Sequence, residues 1–247
     1  VAAAAGLVIW GWFWWKTRAL RRQMRERMDT PFGNVEPVQP EGRIIEGEVI
    51  RAPDDVACPA ACGGAVYGLV NRAVEDLVTA KFGEATWHEV KTRAGVDVAM
   101  FVAMSPYPDT VTYDLVGAAA EVLGMPAEEI LHAFGEHWIR YSAREGYGEL
   151  LDLMGDDLPS FLTELDNLHE RLRMSFPHLR PPGMSVTDVT DASLVVHYTS
   201  ERDGLAPFVV GLLRGSAARF GRTVEVTLGR GRADGHDHDE FLVRYLD

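Results

Sequence analysis

The sequence has few cysteines and few basic residues for its length. Cys58 and Cys62 are its only cysteines, and no second cysteine pair or nearby histidine completes a zinc site with them. Lysine and arginine number 24 against 37 acidic residues, which gives a net charge of -13. Because a nucleic acid requires an extended basic surface, this balance argues against nucleic-acid binding. Scarce, unpaired thiols are typical of a reducing compartment, so we expect a cytoplasmic protein.

Long apolar runs are also scarce, and the one at the start of the sequence is short for a membrane span. It covers residues 1–15, and six basic residues follow within residues 16–27. Since a helix needs about 17 to 25 apolar residues to cross a bilayer, residues 1–28 are predicted to be at most part of a membrane anchor. Residues 29–65, with scattered prolines, are predicted to form a flexible linker. The alternative is that translation starts at Val66 and that the preceding residues are absent from the natural protein.

From residue 66 onward the pattern predicts helices first and strands afterwards. Apolar residues at steps of three and four predict helices in residues 66–83, 86–94, 112–125 and 126–146 and within the stretch 156–182. Alternating β-branched residues then predict two strands around a turn at residues 191–193, a helix in 205–221 and two further strands in 223–246. No β-α-β alternation is present. The expected fold is therefore α+β, with an N-terminal helical subdomain and a C-terminal four-stranded antiparallel sheet.

One predicted helix carries a histidine on its apolar face. His169 shares that face with leucines and a phenylalanine between Leu158 and Leu172, and charged residues occupy the opposite face. A histidine in such a position is either a hydrogen-bonded core residue or a ligand to an apolar group. The helix alone leaves both possibilities open.

A second polar pattern is Tyr198-x-Ser200-x-Arg202. On a strand these three side chains would leave from one face, where two hydroxyls and a guanidinium can bind carboxylates. A solvated edge strand would give the same pattern. Combined with His169, the pattern favours a planar, apolar dicarboxylate with a metal at its centre. Haem has these properties, with an axial histidine and two propionates.

Several dispersed motifs resemble the haem nitric-oxide/oxygen-binding (H-NOX) domains, which include the sensor region of the soluble guanylate cyclase β subunit. The motifs are YGLVN at Tyr67, TYDLV at Thr112, EILHAFG at Glu129, LDNLH ending at His169, RPP ending at Pro182, YTSERDGL at Tyr198 and FLV at Phe241. They occur in the family's order from residue 66 to the C terminus. The resemblance implies an H-NOX fold for residues 66–247, with haem between the helical subdomain and the sheet. The family's initiating methionine falls at Val66.

The resemblance also implies roles for individual residues toward haem b (iron protoporphyrin IX). His169 matches the axial iron ligand, and Pro182 matches the proline that distorts the porphyrin. The residues matching the propionate-binding triad are Tyr198, Ser200 and Arg202. Those matching the distal pocket are Val70, Val74, Phe134, Trp138 and Phe208.

The distal positions bear on gas selectivity. Family members that bind dioxygen stably have a hydrogen-bonding tyrosine at the position of Phe208, which has no donor. The resemblance therefore implies binding of nitric oxide and carbon monoxide and exclusion of dioxygen. The indole N–H of Trp138 is a donor whose direction the sequence leaves open.

The other histidines have no neighbouring motif that indicates a binding site. His88, His132, His137 and His178 are predicted at surfaces or helix ends, and His197 on the strand face opposite the triad. His236 and His238 are predicted in a solvated turn, with adventitious metal binding as the alternative.

The predicted function is a haem-based nitric oxide sensor that is not itself an enzyme. Nitric oxide bound opposite His169 would weaken the axial bond and release its helix. Since no cyclase or kinase segment follows in this sequence, the expected output acts in trans. In standalone bacterial relatives the partner is commonly a histidine kinase or a cyclic-di-GMP enzyme, either a diguanylate cyclase or a phosphodiesterase. The alternatives are a haem carrier or redox protein, and a membrane-tethered interaction module that has lost haem.

Overall fold

The structure is a computed structural model that describes residues 65–175 and 179–247. The predicted anchor of residues 1–28 and the predicted linker up to residue 64 lie outside the described residues, as do Cys58, Cys62 and His178. Ala65, placed at the end of the predicted linker, is the first residue of a strand. Among the helices in these two ranges, none is both long enough and apolar enough to span a bilayer.

The first part of the described chain is helical, as predicted. Its helices are α1 (Gly68–Phe82), α2 (Glu84–Ala94), α3 (Asp109–Leu123) and α4 (Ala127–Ser142). Helix α3 ends at Gly124, whose φ of 63° is the left-handed conformation that terminates helices. Helix α4 follows Pro126 and has acidic residues in its first turn, where they stabilise the helix dipole. A core of buried apolar side chains from all four helices holds this half together.

A small two-stranded sheet closes this half and was missed by the sequence pattern. Strand β1 (Ala65–Tyr67) pairs antiparallel with β2 (Pro106–Pro108). Both strands have three residues, too few for an alternating pattern to be recognised, and β2 contains two prolines.

Helix α4 continues into a π-helical turn (Ala143–Tyr147), a short helix α5 (Gly148–Asp152) and the long helix α6 (Leu158–Ser175). Gly146 in the π-helical turn has a φ of 97°, a conformation that favours glycine. Helix α6 buries Leu158, Phe161, Leu162 and Leu165. Its apolar contacts are therefore concentrated in its first half.

The C-terminal half is a four-stranded antiparallel sheet with a packed helix. Its elements are β3 (Gly183–Thr187), β4 (Ser193–Thr199), α7 (Ala206–Arg219), β5 (Val224–Leu228) and β6 (Asp239–Tyr245). The strand order is β3-β4-β6-β5. One face of the sheet packs on α6 and α7 around Leu194, Val196 and Tyr198. The predicted α+β fold is confirmed.

Helices α4 and α7 approach each other closely because glycines face each other across the contact. A Cβ added to Gly135 would overlap the backbone of Phe208 and Leu212, and one added to Gly211 would overlap the backbone of His132. This approach brings the aromatic side chains of α4 and α7 together.

Candidate functional site

His169 lies on α6 and is half-buried. Its Nδ1 is 3.2 Å from the carbonyl oxygen of Pro182, which can only accept a hydrogen bond. The proton is therefore on Nδ1, and the lone pair is on Nε2. Burial lowers the pKa of His169 below its ordinary value, and the hydrogen bond to Pro182 opposes this. A neutral imidazole with a free Nε2 is the form that binds a metal.

Two further contacts attach the same part of α6 to the chain entering β3. The backbone N–H of Met184 donates to Asp166 Oδ1 over 2.7 Å, and Arg173 Nη2 donates to the carbonyl oxygen of Pro181 over 3.1 Å. Asp166 and Arg173 lie on the charged face of the helix, which was predicted to be solvated. Both are half-buried because the chain turns back along α6 after residue 178.

Tyr198 lies on the inner side of the sheet, and Ser200 lies close to it. The side chain of Tyr198 is 3% exposed, and burial raises the pKa of its phenol to about 12. A side-chain hydrogen bond joins it to Ser200. The phenol therefore stays protonated and remains a hydrogen-bond donor throughout the neutral range.

The prediction that the triad lies on one strand is wrong. Strand β4 ends at Thr199, and Ser200 Oγ accepts the backbone N–H of Arg202 over 3.1 Å. This local side-chain bond competes with strand pairing and turns the chain. The turn continues through Gly204, which has a φ of 73°, into α7.

Arg202 makes a bidentate ion pair, but with a carboxylate of the protein. Its Nε and Nη2 donate to the two oxygens of Asp109 over 2.9 and 3.1 Å. Its Nη1 donates to the carbonyl oxygen of Arg180 and its Nη2 to that of Ala65. These contacts use four of the five N–H donors of the guanidinium. A carboxylate in this position stabilises the half-buried guanidinium, and the predicted contact of Arg202 with a propionate stays a prediction.

The predicted distal residues gather around Phe134 of α4. Phe134 is 5.2 Å from Phe208 and 6.2 Å from Trp138, measured between ring centroids. Val70 and Val74 of α1 belong to the same apolar core as Phe134. Trp138 and Phe208 also pack against the core of the sheet half. The aromatic cluster therefore lies where the two apolar cores meet.

His137 was predicted at a surface or helix end, which is wrong. It is 8% exposed, and its Nε2 is 2.8 Å from Asp76 Oδ2 on α1. Burial lowers the pKa of His137, and Asp76 opposes this. The error was avoidable, because His137 is three residues after Phe134 and four before Tyr141, both buried.

Comparison with known families agrees with this geometry. A family model described as Haem-NO-binding (HNOB) matches residues 67–228. The chain belongs to the HNOB family. This HNOB domain is therefore a haem-binding gas-sensor domain rather than a catalytic one.

Curated relatives of the HNOB domain include soluble guanylate cyclases of Caenorhabditis elegans. Soluble guanylate cyclase gcy-35 is 32% identical over 184 residues, which cover 73% of this chain and 27% of the relative. Soluble guanylate cyclase gcy-31 is 32% identical over 149 residues, which cover 60% of this chain and 21% of the relative. The chain thus spans about a quarter of the length of these relatives.

Solved structures show the same fold. An H-NOX protein from S. oneidensis in the Fe(II)NO ligation state matches with a TM-score of 0.66 and 21% identity, covering 74% of this chain and 100% of that chain. The Fe(II) unliganded H-NOX protein from K. algicida matches with a TM-score of 0.63 and 22% identity, covering 74% of this chain and 97% of that chain. These matches establish the H-NOX fold.

The donor set of the HNOB domain fits haem. His169 has a neutral imidazole nitrogen on an apolar-faced helix, and Tyr198 and Ser200 have hydroxyls of the kind that bind carboxylates. Arg202 contributes one remaining N–H donor unless it exchanges Asp109 for a propionate. Sequence reasoning missed Asp109, which has the sequence position of an ordinary acidic residue at a helix start.

Proposed function

We propose that this HNOB domain binds haem b and senses nitric oxide. The observation that carries the proposal is the state of His169, a neutral imidazole whose Nδ1 is held by Pro182 and whose Nε2 is left for iron. Haem iron supplies, when bound, the site that takes up the diatomic gas. Tyr198, Ser200 and Arg202 would bind the propionates, and Pro182 would press on the porphyrin.

The distal residues support selectivity for nitric oxide. Val70, Val74, Phe134 and Phe208 have no hydrogen-bond donor, and bound dioxygen needs one to be held stably. Nitric oxide and carbon monoxide bind ferrous haem without such a donor. Trp138 has an N–H and is therefore the residue to test. The same positions lack the acid or base that peroxide chemistry requires, which disfavours a redox enzyme.

The proposed signal is a change in how α6 is held. If His169 were released from the iron, Asp166, Arg173 and the bond to Pro182 would still join the second half of α6 to β3 and the chain entering it. A partner that distinguishes the two positions of α6 would receive the signal. The resemblance to standalone bacterial relatives implies that this partner would be a histidine kinase, a diguanylate cyclase or a phosphodiesterase acting in trans in the cytoplasm.

Absorption spectra of the purified, reduced protein test the proposal. We expect bound haem whose spectrum changes with nitric oxide and with carbon monoxide and that forms no stable complex in air. Trp138→Phe should leave all three results unchanged. A stable dioxygen complex that disappears in Trp138→Phe would overturn the selectivity, and protein purified without haem affinity would overturn the function.

A further inference from the structure

The outer face of the sheet carries a second group of potential metal ligands, formed by His197, His238 and Glu240. His197 on β4 is paired with Glu240 on β6. Because side chains alternate along a strand, His197 projects from the face opposite Tyr198. His238 directly precedes β6. All three side chains are about three-quarters buried, with exposures of 25%, 28% and 25%.

The distances within this His197–His238–Glu240 cluster match a coordination sphere. His197 Nδ1 is 2.9 Å from His238 Nε2, and Glu240 Oε1 is 3.8 and 3.6 Å from these two nitrogens. Ligands bound tetrahedrally at about 2.0 Å from a zinc ion lie about 3.3 Å apart. The three atoms therefore already form one face of a tetrahedron.

The outer ring nitrogens determine where the protons lie. His238 Nδ1 is 2.6 Å from Asp237 Oδ1, so it carries the proton and leaves a lone pair on Nε2. His197 Nε2 is 2.9 Å from Thr187 Oγ1, and this hydroxyl donates to Asp188 Oδ2 over 3.4 Å, which leaves Thr187 Oγ1 as an acceptor for His197. His197 therefore donates from Nε2 and has its lone pair on Nδ1.

These tautomers direct two lone pairs and a carboxylate oxygen at one point. Three acceptors this close repel one another unless a cation lies between them. The cation is either a metal ion or a proton that converts one imidazole to imidazolium. Arg230 Nε is 3.7 Å from Glu240 Oε2, the carboxylate oxygen that is not part of the cluster.

We propose that the His197–His238–Glu240 cluster binds Zn²⁺ through His197 Nδ1, His238 Nε2 and Glu240 Oε1, with water as fourth ligand. Two imidazoles and one carboxylate are a ligand set that zinc accepts. Asp237 and Thr187 orient the two rings from behind, as outer-shell partners of metal-bound histidines do. The ion would join β4 to β6 on the face opposite the proposed haem site, independently of the gas-sensing function.

Zinc titration of the full chain, haem-loaded and without an affinity tag, tests this proposal. A Cys58→Ser, Cys62→Ser background removes the thiols as competing ligands. We expect one Zn²⁺ per chain in competition with a chromophoric chelator. Asp237→Asn should weaken binding about 10-fold to 100-fold, and loss of a direct ligand in His238→Ala or Glu240→Gln should weaken it more than that.

The matched control is His236→Ala, two residues from His238 and exposed, which should keep wild-type zinc affinity. Glu240→Gln preserves shape, so an unchanged haem spectrum and circular dichroism would show that it folds. Zinc binding that survives both His238→Ala and Glu240→Gln would overturn the proposal. Loss of zinc binding in His236→Ala as large as in His238→Ala would also overturn it. The proposal would also be overturned if NMR showed a proton shared between His197 and His238 and the protein took up no zinc.

Discussion

Helices α4 and α6 flank the proposed haem site but are held in different ways. Helix α4 is fixed to α7 along its length by facing glycines and aromatic packing. Helix α6 is fully buried only as far as Leu165, and the part carrying His169 is held by the partly buried Leu168 and a few hydrogen bonds to β3 and the chain entering it. Close-packed contacts resist displacement, whereas isolated hydrogen bonds open at low cost. A change at His169 should therefore move α6 and leave α4 in place.

The largest expected effect is on haem retention and comes from replacing the histidine of α6, His169, in comparison with that of α4, His137. His169→Gly should abolish haem retention, because it removes the proposed iron ligand, and free imidazole should restore it. His137→Gln should retain haem, because the amide can still donate to Asp76. Haem absorbance per protein chain measures both. Unaided retention by His169→Gly would show that the ligand assignment is wrong.

Packing between α4 and α7 should respond strongly to a single methyl group. Gly135→Ala should lower the free energy of unfolding by about 3 kcal/mol, because its Cβ meets backbone that cannot move aside alone. Gly117→Ala on α3 has open space around it and should raise stability by roughly 0.5 to 1 kcal/mol. Denaturant unfolding compares them, and equal effects would contradict the close approach of the helices.

Tyr198 should make stability fall at alkaline pH. The pKa of its phenol rises from 10.0 to about 12 on folding. The stabilisation is therefore complete below pH 10 and is lost as pH rises through 12, with about 1.4 kcal/mol gone by pH 11. The stability of Tyr198→Phe should fall less between pH 9 and pH 11. If the stability of the wild type and that of Tyr198→Phe fell in parallel with rising pH, the burial of a protonated phenol would be contradicted.

Loosening α6 should give the smallest effect. Asp166→Ala removes the acceptor of the Met184 N–H and should cost about 1 kcal/mol. Hydrogen exchange should accelerate in residues 168–175 and stay unchanged in α4. The control is Asn167→Ala, an exposed neighbour whose amide contacts only Glu164 among the described residues. Acceleration spread evenly over both helices would remove the distinction between them.

Most elements of the fold were predictable from local pattern. Helices α1 to α4, α6 and α7 follow apolar residues at steps of three and four, and β3 to β6 follow alternation around turn residues. The pair β1 and β2 was not predictable, since three-residue strands have no pattern of their own. The proposed roles of His169 and the triad stay predictions.

The errors at the site arise from contacts between distant segments. Asp109 and Arg202 are 93 residues apart, and no local pattern indicates that they pair. His197 and His238 come together only through the pairing of β4 with β6, so the turn predicted around His238 gave no indication of this contact. Local sequence determines which residues face inward, whereas tertiary pairing determines their partners.

The contacts of Arg202 also bear on the order of folding. Its guanidinium joins Ala65, 137 residues earlier, to Asp109 and to the start of the sheet half. Closing such long loops costs more chain entropy than forming helices or hairpins, so we expect this corner to assemble late. A newly made chain would then pass through a stage in which its helices exist and the cofactor site is still open. Haem entry at that stage would need no later opening of the folded domain.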